Sequence, residues 1–108
     1  MYNGRVALNL QRFTESLNDS DFRFAYNKLA PGFRNNNFPT LQSFETYMRN
    51  TIPERFTVEH GAFRQEGDVY LQTIRFVDRN PRSEEVVEKT FIMQLGEGTD
   101  FVLSFNII

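Results

Sequence analysis

The spacing of the apolar residues changes once along this chain, near Arg55, and that change limits the folds available to it. Before this point, apolar residues recur at intervals of four, three and four, which places them on one face of a helix: Val6, Leu10, Phe13 and Leu17. After it, apolar and polar residues alternate, which is typical of strands with one buried face. Helices followed by consecutive strands indicate an α+β fold with segregated layers.

Two more helices are predicted after the first. The polar run 18–21 ends the first helix and caps the second, whose inner face carries Phe22, Ala25, Tyr26 and Leu29. Pro31 and Gly32 are predicted to end the second helix, and the run 35–37 of three asparagines is predicted to form a turn. Thr40 is the expected N-cap of a third helix, which ends before Pro53 and has an inner face of Leu41, Phe44 and Met48.

Four strands in consecutive hairpins are predicted for the second half. The first strand is expected to place Phe56, Val58, His60 and Ala62 on one face, opposite Thr57, Glu59, Gly61 and Phe63. Turns are predicted at 66–68, 78–83 and 96–98, between strands over 69–77, 86–95 and 101–108. The last strand is expected to place Phe101, Leu103, Phe105 and Ile107 on one face.

The predicted fold is one α+β domain over residues 1–108, with three N-terminal helices packed on a curved four-stranded antiparallel sheet. A sheet that curls around the helices leaves a cone-shaped hollow, which is a common place for a ligand. The predicted pocket in it is mainly apolar and is lined by Phe13, Tyr26, Phe44, Tyr47, His60, Phe91 and Phe105. The alternative is that the hollow is filled by the chain's own Phe side chains, of which there are 12.

The charge and composition exclude several classes of protein. A net charge of −2, from 12 basic and 14 acidic residues, argues against a nucleic-acid partner. The absence of cysteine excludes disulfide scaffolds and thiolate chemistry. No apolar run is long enough to cross a bilayer, so the chain as it stands is expected to be soluble and not membrane-embedded. The charged cluster of Glu84, Glu85, Glu88 and Lys89 is expected to be a solvated strand start.

The order of elements resembles the nuclear transport factor 2-like superfamily, also called the cystatin-like α+β roll. The resemblance rests on the segments 17–22, 38–44, 66–70 and 95–101, and it is nearest to small accessory domains of bacterial surface proteins. It implies a conical binding pocket and dimerisation through the sheet. Because such accessory domains often follow a membrane anchor, it also favours an extracytoplasmic setting over a cytoplasmic one.

The residues give little support for catalysis. His60 is the only histidine, and one histidine without further nitrogen or sulfur ligands does not make the usual zinc site, so neither a metal nor a cofactor is expected. The leading prediction is a non-catalytic domain that binds a small apolar ligand or another protein. The alternative is a small cofactor-independent isomerase, dehydratase or hydrolase that uses His60 with a tyrosine donor, such as Tyr26 or Tyr47.

The predicted second strand carries apolar side chains on both faces. Val69 and Leu71 lie on one face, whereas Tyr70, Ile74 and Phe76 lie on the other. Since the helices cover only one face of a sheet, a face-to-face homodimer is predicted to cover the other. Arg75 interrupts the apolar run and is expected to be an outer-face charge that discourages wrong strand pairing.

Overall fold

The computed structural model describes residues 4–96 and 101–107, which form four helices followed by four strands. The helices are α1 (Gly4–Asn18), α2 (Phe22–Asn27), α3 (Pro31–Asn37) and α4 (Leu41–Thr51). The strands are β1 (Phe56–Glu66), β2 (Val69–Asp78), β3 (Val86–Leu95) and β4 (Phe101–Phe105). They form one antiparallel sheet in the order β1-β2-β3-β4, so the predicted α+β fold with N-terminal helices is confirmed.

The prediction of three helices was wrong, because the segment after α2 forms a helix of its own. Pro31 begins α3 instead of only ending α2, since the first turn of a helix does not use the N–H that proline lacks. The asparagine run lies inside this helix, where the Asn37 side chain donates a hydrogen bond to the carbonyl of Phe33 (2.9 Å). The ring of Phe33 packs 5.0 Å from that of Phe105, and this tertiary contact stabilises a helix with weak local propensity.

Polar side chains fix where the other helices begin. Asp21 is the N-cap of α2 and accepts a hydrogen bond from the backbone N–H of Phe24 (3.2 Å). Thr40 is the N-cap of α4, as predicted, and it forms a reciprocal capping box with Ser43. Ser20 turns the chain between α1 and α2 in the left-handed region (φ 59°), a conformation that is uncommon outside glycine.

One face of the sheet is buried beneath the helices. The predicted α1 stripe is fully buried there, and it packs in one apolar core with side chains from the inner face of the sheet: Phe56, Ile74, Phe76, Phe91, Met93, Phe101, Leu103 and Phe105. On β4 the alternation ends at Phe105, and Ile107 is exposed. The predicted turn at 96–98 and the residues up to 100 lie outside the described residues, apart from Gly96.

The alternation predicted for β1 is interrupted by a β-bulge between His60 and Phe63. Phe63, rather than Ala62, therefore takes the inner face, and its ring lies 6.2 Å from that of Tyr70. Gly61 fits this irregular stretch because a Cβ there would lie 3.2 Å from the Thr73 side chain. Gly67, at the tip of the β1–β2 hairpin, has a positive φ of 61°, which confirms the predicted tight turn.

Candidate functional site

Four of the seven predicted pocket residues lie in a closely packed aromatic cluster. Phe13, Phe44 and Phe91 are completely buried, and Phe105 is almost so. The ring of Phe91 lies 5.6 Å from that of Phe13 and 5.5 Å from that of Phe105, and edge-on or tilted contacts of this kind continue through Phe38 to Phe44. These separations are those of favourable aromatic pairs in contact. The structure therefore brings these four residues together as mutually packed rings.

The two predicted tyrosines are half-buried at the border of this cluster, and their hydroxyls bind the backbone. Tyr26 donates to the carbonyl of Phe38 (2.7 Å), and Tyr47 donates to the carbonyl of Ile107 (2.7 Å). Within the described part of the chain, neither hydroxyl is hydrogen-bonded to His60. Both side chains therefore connect segments that are distant in sequence, and their hydroxyls already have acceptors.

Lys89 is a buried polar residue, so the prediction that it belongs to a solvated strand start was wrong. It is only 3% exposed, because its position on β3 shares the inner face with Phe91 and Met93. Its ammonium donates to the Tyr47 hydroxyl oxygen (2.6 Å) and to the carbonyls of Asn106 (2.7 Å) and Ile107 (3.3 Å). An ammonium has three protons to donate, so these acceptors satisfy it without a carboxylate. Lys89 and Phe91 are two residues apart on one strand and therefore share a face, and this spacing could have identified Lys89 as buried.

Gln72 is a second buried polar residue, 2% exposed, on the inner face of β2. Its side-chain nitrogen lies 3.1 Å from the carbonyl oxygen of Gly61 and 3.3 Å from that of Ala62, the two residues of the bulge. A third acceptor, the carbonyl of Thr73, is 3.0 Å away. The amide thus compensates carbonyls that the bulge removes from regular pairing.

His60 is the predicted pocket residue that lies in an open depression. It is exposed on the inner side of β1, at a groove of about 490 Å³ between α1 and the free edge of that strand. This α1–β1 groove has one wall of α1 residues, including Ala7, Gln11 and Thr14, and another of Thr57, Val58 and His60. Its floor includes Leu10 and Ile74, so the groove is apolar at its base and polar along its walls.

One end of this groove is closed by a side-chain amide. Asn18, the last residue of α1, donates to the carbonyl of Phe56 (2.9 Å) and accepts from its N–H (3.1 Å). These are the two hydrogen bonds that a residue of an adjacent strand would make with an edge residue. The amide of Asn18 therefore occupies the position of an additional strand at Phe56.

The outer face of the sheet, which the helices do not cover, carries matched rows of side chains across β2 and β3. Leu71 pairs with Ile92, and Thr73 pairs with Thr90. Arg75, the predicted outer-face charge, lies 3.2 Å from Glu59 and 3.8 Å from Glu88, with both carboxylates largely exposed. This outer sheet face therefore combines a half-buried apolar patch with an ionic row.

Other kinds of site find no support in residues 4–96 and 101–107. No group of three or more histidine, aspartate or glutamate side chains is placed there to hold a metal ion. None of the helices in those ranges has both the length and the apolar character that crossing a bilayer requires.

Comparison with family models, with curated proteins and with solved structures gives no match to this chain. The likeness to the nuclear transport factor 2-like superfamily therefore stays a prediction.

Proposed function

We propose that this chain is a non-catalytic protein-interaction domain, which binds partners with the surface of its sheet. The observation that carries the proposal is the aromatic cluster. Rings of Phe13, Phe91 and Phe105 in mutual contact occupy the interior where a pocket for a small ligand was expected. Interiors packed in this way have few voids larger than a water molecule. Of the two binding roles predicted from the sequence, the packing therefore favours contact with another protein.

The outer sheet face supports a second copy of this chain as one partner. If a two-fold axis runs along the strands midway between β2 and β3, each β2 lies over the β3 of the other copy. Leu71 then faces the partner's Ile92, and Thr73 faces the partner's Thr90. Arg75 faces the partner's Glu88, so each pair that is adjacent within one sheet recurs across the interface. A surface that is complementary to itself in this way is what a two-fold dimer requires.

Sedimentation equilibrium with charge-swap variants tests this dimer. Arg75→Glu places two carboxylates opposite each other across the interface, and we expect dimerisation to weaken by at least about tenfold. The triple variant Arg75→Glu with Glu59→Arg and Glu88→Arg restores both pairs within each sheet and the pair between copies, so it should dimerise like the parent chain. A parent chain that stays monomeric at high micromolar concentration, or a single variant that dimerises as well as the parent, would contradict the proposed interface.

A further inference from the structure

In the described part of the chain, β1 is an edge strand of the sheet, and its outer edge has only a short stretch that can accept another strand. Phe56 directs its N–H and C=O away from β2, as its hydrogen bonds with Asn18 show. Since alternate residues of an antiparallel strand point the same way, Val58 and His60 direct theirs outward as well. Within residues 4–96 and 101–107, no group outside the sheet is hydrogen-bonded to these outward atoms of Val58 or His60.

Both ends of this stretch are closed. On one side, the Asn18 amide already binds Phe56. On the other side, the bulge breaks the regular ladder, and the Gln72 amide binds the carbonyls of Gly61 and Ala62. The opposite edge of the sheet, at β4, is covered at Leu103, which is hydrogen-bonded to Lys28 and Ala30 (2.9 and 2.7 Å).

A second copy of β1 is a poor occupant of this edge. The antiparallel register that uses Val58 and His60 of both copies pairs Val58 with the partner's His60 and is centred on Glu59. Each Glu59 would then lie directly opposite its counterpart, and like charges in that position are destabilising. Arg75 is shared between Glu59 and Glu88, so this row of three side chains keeps a net negative charge, which favours a basic residue in a different chain.

We propose that the edge of β1 at Val58 and His60 binds an extended segment of a partner protein with the pattern apolar–basic–apolar. The two apolar residues form the ladder pairs with His60 and Val58, so their side chains point inward over the base of the α1–β1 groove. The basic residue lies opposite Glu59 on the outer side of the sheet. Backbone hydrogen bonds supply the affinity, and the alternating side chains supply the selectivity. This inference rests on the proposed function and names a second kind of partner for it.

The test is a titration of ¹⁵N-labelled protein with the blocked pentapeptide Thr-Val-Arg-Val-Thr, followed by NMR. We expect saturable shifts at millimolar peptide, centred on the amides of Val58 and His60. Replacing the central Arg of the peptide by Glu should weaken binding by about fivefold, because it faces Glu59. N-methylation of either Val, which removes a donor to the edge, should weaken it by at least about tenfold, whereas N-methylation of the Arg should not.

Two variants of the protein distinguish the contribution of the His60 backbone N–H from that of the His60 side chain. His60→Pro removes the outward N–H together with the imidazole, and a proline is tolerated on an edge strand, so this variant should lose peptide binding. His60→Ala keeps that N–H and should bind like the parent. If His60→Pro fails to fold, the N-methylated peptides give the same comparison with the unaltered protein.

Three outcomes would overturn the inference: no saturable shift, shifts centred on the outer sheet face, or equal weakening by N-methylation at Val and at Arg. Shifts of Val58 and His60 that appear with rising protein concentration alone would assign the edge to a second copy and would overturn it too. If the peptide does not bind while the parent chain still dimerises through Arg75 and Glu88, the edge inference falls and the proposed function stands.

Discussion

Replacing Phe91 by alanine tests the statement that the interior is filled by its own rings. Phe91 has no exposed surface and contacts the rings of Phe13, Phe76 and Phe105. Burying a phenylalanine removes roughly 150–250 Å² of apolar surface from water, which at about 25 cal/mol per Å² corresponds to about 4–6 kcal/mol. Alanine retains part of this, so we expect the free energy of unfolding to fall by about 3–5 kcal/mol.

Chemical denaturation measures this loss of unfolding free energy. The binding of a small apolar ligand shows whether the loss comes from a cavity at position 91. The variant should gain a dry cavity that takes up benzene or xenon, and benzene should raise its unfolding midpoint. The parent chain should show no such shift. Phe24→Ala is the matched control, because Phe24 is 37% exposed and should lose only about 1 kcal/mol or less. A parent chain that binds benzene as well as the variant does, or a Phe91→Ala loss below about 1 kcal/mol, would refute the filled interior.

The buried and edge polar groups give two further predictions. Lys89→Met removes the donor to the Tyr47 hydroxyl and to the Asn106 carbonyl, whereas the Ile107 carbonyl keeps its hydrogen bond from Tyr47. We expect a loss of about 1–3 kcal/mol by denaturation and faster amide exchange after Phe105; unchanged stability would contradict this role. Asn18→Ala removes both hydrogen bonds to Phe56 and should cost about 1–3 kcal/mol. Its signature is faster exchange of the Phe56 amide, and normal protection of that amide would show that the Asn18 pair contributes little.

The fold was predictable wherever one apolar face was large enough to decide the structure. The α1 stripe from Val6 to Leu17 and the alternation on β4 from Phe101 to Phe105 are buried as the spacing predicts. The α3 helix was not predictable in this way, because proline and three asparagines indicate a turn. The packing of Phe33 against Phe105, which is a tertiary contact, favours the helix instead.

The site was less predictable than the fold. The residues that line an open surface are decided by local departures from regular structure, such as a β-bulge. Lys89 looks like a solvated charge in a run of glutamates, and only its parity with Phe91 places it inside. The bulge at Gly61 moves Phe63 to the inner face. Strict alternation of apolar and polar residues would place Phe63 on the outer face, so the sequence pattern does not reveal the bulge. The pairing of Asn18 with Phe56 spans 38 residues, so no local pattern indicates it.

The shortness of the open edge and the self-complementary outer face have a joint consequence for binding. With only Val58 and His60 able to form ladder pairs, a docked segment gains about four hydrogen bonds, each contributing roughly 0.5–1.5 kcal/mol before the cost of ordering the segment. One edge alone should therefore bind weakly. A dimer through the outer sheet face carries two such edges, and a partner with two suitably spaced segments would bind it with avidity well above that of either segment. Ile92→Glu should then lower the apparent affinity for a two-segment partner while leaving the affinity for a single peptide unchanged, because Ile92 lies on the outer face of β3, which β2 separates from the edge of β1.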